Sequence, residues 1–358
     1  MSRQQRVLMN LTERYQKTGS ATEGGMGDIS IYLDSHLNRN VVVKTLKPGQ
    51  DDRRLIDERK ALLRLRSKHV VQLFDLLEIS SAGFAQKALV LEFIGGKDLG
   101  VGSFKGGNEH LSIIWQIACG LLAIHQENII HRDIKPNNIR MDNDGVIKIL
   151  DFGLARSVGM EANTRSPIGT PGFMAPELWK SSNISFDQSI DVYAFAVTAL
   201  MLIQNELPDE LASWPPKPMP PGALAALMPD TPADVVQLLD KSLRSDPSAR
   251  PAISVLEETI RKHLLKDRHR AFLVLGSDTH EIHSGSRSAK VSSGTRGSLG
   301  INYDGLMFSV TSSDGIVLLN NVPVKVGDNL PSCCVITFGA HPNRTFVTFD
   351  VSNPEVIS

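Results

Sequence analysis

The stretch from His131 to Glu177 constrains this chain more than any other. It opens His131-Arg132-Asp133-Ile134-Lys135-Pro136-Asn137-Asn138, continues to Asp151-Phe152-Gly153 and closes on Ala175-Pro176-Glu177. Between the first two pieces, Ile139 to Leu150 reads as a hairpin with Asp144-Gly145 at its turn. Any one of the three pieces recurs by chance, but three in order with these gaps do not. A fold for this chain must therefore hold Asp133, Lys135, Asn138 and Asp151 in a fixed relation.

That set matches what phosphoryl transfer requires. Moving a phosphoryl group from ATP needs a carboxylate to orient the attacking hydroxyl, oxygen ligands for a hard cation, and positive charge for the developing anion. The intervals match H-R-D-x-x-x-x-N, then D-F-G, then A-P-E. On these residues the chain resembles the eukaryotic-like Ser/Thr protein kinases of bacterial type, over roughly residues 12 to 265. The resemblance implies an α+β, two-lobed fold that uses ATP with Mg2+, or Mn2+ in its place, on protein substrates. Asp133 would orient the substrate hydroxyl, Lys135 would steady the transferred group, and Asn138 and Asp151 would hold the metal.

Residues 14 to 46 read as three short strands, and the family likeness extends to them. Thr22-Glu23-Gly24-Gly25-Met26-Gly27-Asp28-Ile29 is a plain hairpin turn or a loop whose glycine amides cover the phosphates. Thr22 stands where the family has its first glycine, while Gly24 and Gly27 match the second and third. Lys44, at the end of Val41-Val42-Val43, occupies the place of the phosphate-pairing lysine, with Val42 over the adenine. An amphipathic helix over 51 to 66 carries Glu58, the expected partner of Lys44. Leu91, Glu92 and Ile94 would line the adenine pocket before Gly95-Gly96. Arg140 is expected to cover the base with its aliphatic stem while its guanidinium reaches solvent. His131, Phe152, Leu62 and Leu73 would stack as an internal spine.

Other positions follow from the same likeness. The activation segment, 154 to 174, holds Thr164 and Ser166 as candidate autophosphorylation sites that Arg132 would read. Thr170 would support the catalytic loop and, with Lys135, mark Ser/Thr rather than tyrosine specificity. Asp191 would anchor the loop from a buried helix, and Arg250 would pair with Glu177. His125, on the helix pattern 111 to 126, is expected in the core. Asn137 replaces a glutamate that reads basic substrates, so no basic consensus is implied. Residues 205 to 232 are proline-rich and read as a docking loop or a plain connector.

At 358 residues with 41% apolar content and a formal net charge of -1, the chain has the composition of a packed protein and no global signal for nucleic acid or anionic membrane. Its three cysteines, Cys119, Cys333 and Cys334, fit no zinc spacing. With no secretory core in the first residues and no apolar run of spanning length, a cytoplasmic protein is expected.

Beyond about residue 270 short apolar runs alternate with turns: Ala271 to Leu275, Leu306 to Thr311, Ile316 to Asn320, Cys334 to Phe338 and Thr345 to Val351. This predicts a small all-β sandwich. His283 to Ser298 reads as a long loop within it or a linker before it. Val317 to Val324 with Val335 to Gly339 resembles the second half of a forkhead-associated domain, although Gly276-Ser277 stands where Gly-Arg would be expected. That implies contact with phosphoproteins, or a structural or autoregulatory role. The expected division is an extension at 1–11, a kinase domain at 12–268 and the β domain at 269–358. Two rivals remain: a small-molecule phosphotransferase, which the A-P-E segment disfavours, and a pseudokinase scaffold, which the complete catalytic set disfavours.

Overall fold

The structure is a computed structural model that describes residues 14–20, 28–45, 53–81, 84–157, 169–179, 187–276, 278–352, 354 and 356. Thr22 to Gly27, Thr164, Ser166 and Ser277 lie outside the described residues. The chain separates into two compact units, residues 1–258 and 259–357.

The first unit begins with five antiparallel strands, β1 (Tyr15–Ser20), β2 (Asp28–Asp34), β3 (Arg39–Thr45), β4 (Leu73–Ser81) and β5 (Phe84–Glu92), in the order β1-β2-β3-β5-β4. Side chains alternate across a strand, so register decides which residues share a face. Ile29 opposes Lys44, which opposes Leu89, and Val42 opposes Leu91. Ile29, Val42, Lys44 and Leu91 therefore share one face, while Val41 and Val43 pack on the other with Tyr15, Leu77, Ala88 and Val90. Helix α1 (Arg53–Arg64) buries Leu55, Glu58, Ala61 and Leu62. Those spacings form one helical stripe, so Glu58 sits among apolar neighbours.

Helices dominate the rest of this unit. They are α2 (Gly107–Gln126), α3 (Ser189–Met201), the short α4 (Asp209–Ala212) and α5 (Ala223–Leu227), α6 (Ala233–Ser242) and the first half of α7 (Ile253–Leu264), which continues past residue 258. In α3 every residue from Ile190 to Met201 is buried. Small sheets hold the catalytic segment: β6 (Lys97–Asp98), β8 (Ile139–Met141) and β9 (Ile147–Ile149) form one, and β7 (Ile129–Ile130) with β10 (Arg156–Ser157) the other. The β8–β9 turn is where expected. Asp142 accepts the amides of Asp144 and Val146, and Gly145 adopts φ 83°.

His69 ties the chain after α1 to β9. It is 3% exposed, its Nδ1 lies 3.1 Å from the Ile147 carbonyl, and its ring meets Trp115 edge-on. Burial pushes its pKa down to about 4. The folded form thus favours neutral imidazole, whose unfolded pKa is about 6.5. Its stabilisation is complete above pH ~6.5 and is lost as pH falls towards 4, up to about 3 kcal/mol. Chemical denaturation across that range should show the decline, and a His69→Gln variant should flatten it.

The second unit is all-antiparallel β. Strands β11 (Ala271–Leu275), β12 (Asp278–Ile282), β16 (Val317–Leu319), β17 (Val322–Pro323), β18 (Cys333–Phe338) and β19 (Thr345–Val351) form a six-stranded sheet, ordered β12-β11-β19-β18-β16-β17. Strands β13 (Ser288–Ser292), β14 (Gly297–Tyr303) and β15 (Phe308–Gly315) form a three-stranded sheet. Both contribute to one core, which includes Leu273, Ile301, Tyr303, Phe308, Ile336 and Phe349. The Ser/Gly-rich stretch 283 to 298 is a correction: it is neither a simple loop nor a linker, since it contains β13 and the start of β14. As a sheet-edge strand, β13 buries only Val291 fully, so its serines and Lys290 gave no apolar signal. Among the described residues no helix is long and apolar enough to cross a membrane.

Candidate active site

Lys44 joins three elements. Its Nζ lies 3.0 and 2.8 Å from the Glu58 oxygens on α1 and 2.9 Å from Asp151 Oδ1 beyond β9. Burial alone would strip the proton from this amine, but the two carboxylates more than offset it and raise its pKa above that of an ordinary lysine. Asp151 is shifted the other way. Burial disfavours its charge, yet the Lys44 charge and hydrogen bond hold its pKa below the usual carboxylate range. For a phosphoryl-transfer role of this lysine, the expected loss on Lys44→Met is about 10²-fold or more in initial rate at saturating nucleotide.

The loop from His131 to Asn138 is fixed from below by Asp191. Its carboxylate accepts the amides of His131 and Arg132, each at 2.8 Å, and faces His125 Nε2 at 3.0 Å. Burial opposes the charge on Asp191, but His125 and these contacts keep its pKa below normal. The loop backbone is strained, with Arg132 at φ 72° and Asp151 at φ 58°. Non-glycine residues hold such angles only where surroundings over-determine them. His131 packs edge-on against Phe152 at 4.7 Å and reaches the Leu150 carbonyl at 2.9 Å. Leu62 is buried and Leu73 half-buried.

Asp133 lies at the centre of a hydrogen-bonded group. Thr170 Oγ1 donates to its Oδ1 at 2.9 Å, and Asn138 Nδ2 donates to its Oδ2 at 2.7 Å. Lys135 Nζ lies 2.8 Å from that same Oδ2 and also donates to Thr170. Further out, Arg250 clamps Glu177 through two 2.7 Å bonds and sits over the Tyr193 ring.

The adenine-side positions divide. Leu91 and Ile94 are buried, whereas Ile29 and Val42 are half-buried. Glu92 is committed to Lys148 through contacts of 2.8 and 3.0 Å, and its carboxylate also receives the Gln72 amide. Sequence reasoning missed this tie. Its one signal was a lysine flanked by Ile147 and Ile149 in an apolar strand. It also missed the link of His125 to Asp191, since a histidine on an apolar helix face reads as core. Arg140 differs from expectation, because its guanidinium is held by Asp98 at 3.0 Å and by the Gly96 carbonyl rather than extending freely into solvent.

The donor set suits nucleotide-bound magnesium. With Nδ2 of Asn138 committed to Asp133, its carbonyl is left as an oxygen donor, and Asp151 uses one oxygen for Lys44. A carboxylate and an amide oxygen, supplemented by phosphates, is how Mg2+ is commonly bound. Among the described residues there is no cluster of three His, Cys, Asp or Glu for a stand-alone metal site.

Comparison with known proteins agrees. The sequence profile described as "Protein kinase domain" matches residues 15–261. The chain is 32% identical over 199 residues to the human protein "Rhodopsin kinase GRK1", covering 51% of this chain and 34% of that one. It is 31% identical over 197 residues to "Serine/threonine-protein kinases drp72" of Corynebacterium efficiens, covering 52% and 38%. To "Serine/threonine-protein kinase PksC" of Streptomyces coelicolor it is 29% identical over 263 residues, covering 66% and 46%. The chain thus spans less than half the length of each of these relatives. Since the profile match runs from the first strand into α7 and takes in every side chain of the cleft, this chain belongs to the protein kinase family.

Proposed function

We propose that the chain transfers the γ-phosphate of ATP to serine and threonine hydroxyls of proteins, its own activation segment included. The observation that carries this reading is the convergence of Lys44, Glu58 and Asp151, because it closes the cleft around charges suited to a nucleotide. Bound ATP with Mg2+ or Mn2+ supplies the electrophilic phosphorus and most of the charge neutralisation. Lys44, oriented by Glu58, pairs with the phosphates, while Asn138 and Asp151 hold metal. Thr22, Glu23, Gly24, Gly25, Met26 and Gly27 are assigned to the phosphates on the family likeness, and Ile29, Val42, Leu91, Glu92 and Ile94 frame the base.

Asp133 receives the proton of the incoming hydroxyl, its carboxylate being aimed by Thr170 and Asn138. Lys135, beside it, balances charge on the group in transit. Arg132 is buried next to Arg156; burial, then that like charge, pushes its pKa down to about 10. A phosphate on Thr164 or Ser166 would offset this repulsion. The functional division we propose is 12–268 and 269–358. The second part is forkhead-associated-like and serves as a structural or autoregulatory unit, with phosphoprotein contact as its alternative role.

The test offers radiolabelled ATP and magnesium to the full chain with protein substrates and, separately, with small alcohols and aminoglycosides. Phosphoserine and phosphothreonine located by mass spectrometry are the expected products. Label on small molecules alone, or nucleotide binding without turnover, would overturn the reading.

A further inference from the structure

The cleft makes no use of the proline-rich segment between α4 and α5. Five of the seven residues from Pro215 to Pro221 are proline, in the order Pro-Pro-Lys-Pro-Met-Pro-Pro. Each proline ring fixes its own φ near −65° and pushes the residue before it towards extended ψ. Together these restrictions specify a polyproline II helix. At the exit the Ala223 amide donates to the Pro220 carbonyl, with Gly222 at φ 79° and ψ −8°. That is a type II turn, whose second residue, Pro221, keeps polyproline-like angles.

Exposure along the segment has the period of that helix, which is about three residues per turn. Pro216 is buried and Met219 half-buried, whereas Pro215, Lys217, Pro218, Pro220 and Pro221 are exposed. One edge is therefore anchored on the protein, and the other two face solvent. Pro215, Pro218 and Pro221 form one free edge; Lys217 and Pro220 form the next. The Lys217 amide is spent inward on the Glu210 carbonyl at 2.8 Å, which holds the segment in place. At its head, Trp214 is 68% exposed and stacks on Trp179 at 5.9 Å. Beside Pro218 and Pro221 opens a cavity of about 590 Å³, floored by Leu224, Met228, Val236 and Leu243.

We infer that this segment is a docking ligand for a partner protein that reads polyproline II through an aromatic-lined groove. Two overlapping Pro-x-x-Pro motifs on one edge, Pro215 to Pro218 and Pro218 to Pro221, provide the shape such grooves accept, and Lys217 on the neighbouring edge provides a cation for an acidic residue at the groove's end. Because the host protein already holds the helix, binding orders little further chain. The inference stands on the exposure pattern and does not depend on the proposed phosphoryl transfer.

The experiment titrates the full chain into isotope-labelled, purified SH3 and WW domains of Pro-x-x-Pro specificity and follows amide shifts. The expected result is saturable binding by at least one domain, at about 1–100 µM, with shifts confined to its aromatic groove. The double variant Pro218→Ala/Pro221→Ala should weaken binding about tenfold or more. Lys217→Glu, a change at an exposed side chain that leaves the prolines in place, should weaken it with an unaltered melting curve. Absence of binding across the panel, shifts outside the groove, or equal affinity for wild type and both variants overturns the inference.

Discussion

Replacing Asp133 with alanine is expected to reduce phosphoryl transfer about 10²–10⁴-fold, the range for losing a positioned proton acceptor, while ATP binding changes little. The Lys44 ammonium bonds Glu58 and Asp151 rather than Asp133, so the nucleotide side of the cleft should survive. The folding cost is separate. Asp133 is buried, and its removal strips acceptors from Thr170, Lys135 and Asn138. Each donor so orphaned costs about 1–3 kcal/mol unless water replaces the carboxylate. Asp133→Asn separates the two effects, because an amide of the same shape retains an acceptor for Thr170 yet is too weak a base for the hydroxyl proton. Single-turnover assays on both variants, with nucleotide affinity measured alongside, check the prediction. Autophosphorylation at the wild-type rate in either variant would remove Asp133 from the chemistry.

A second large effect falls on stability. Arg250→Ala should destabilise the first unit by about 3–5 kcal/mol, because it leaves a buried carboxylate unpaired. Glu177 would lose both 2.7 Å bonds, and the Ser189 and Arg244 carbonyls would lose a donor. For a domain of this size the melting temperature should fall by about 6–20 °C. The double variant Glu177→Gln/Arg250→Met should recover part of the loss, since no charge is then stranded. A melting curve for Arg250→Ala within a degree of wild type would show that solvent compensates Glu177 and that the clamp is dispensable.

Legibility differed sharply along the chain. Asp133, Lys135 and Asn138 lie within six residues of one another, so connectivity alone brings them together and a short pattern reveals them. Strands β3 and β5 were legible from their valine and leucine runs, and α1 from its stripe of apolar positions. The β13 and β14 region was not. An edge strand needs only one apolar face, and serine and glycine satisfy the pleat without marking it. The Glu92–Lys148 tie was hidden for a different reason. A charged residue announces its sign but not its partner, and this partner lies 56 residues away.

By itself the sequence determined the family, through the identity and spacing of a few polar side chains, and it determined that strands precede helices and that a β unit follows. Only the tertiary structure decided how those side chains are charged and aimed. Lys44 meets Asp151 across 107 residues of chain, and Asp191 meets the catalytic loop across 59 and 60. Charge state and orientation depend on burial and on neighbours brought together by packing, and neither is a property of residues read one after another.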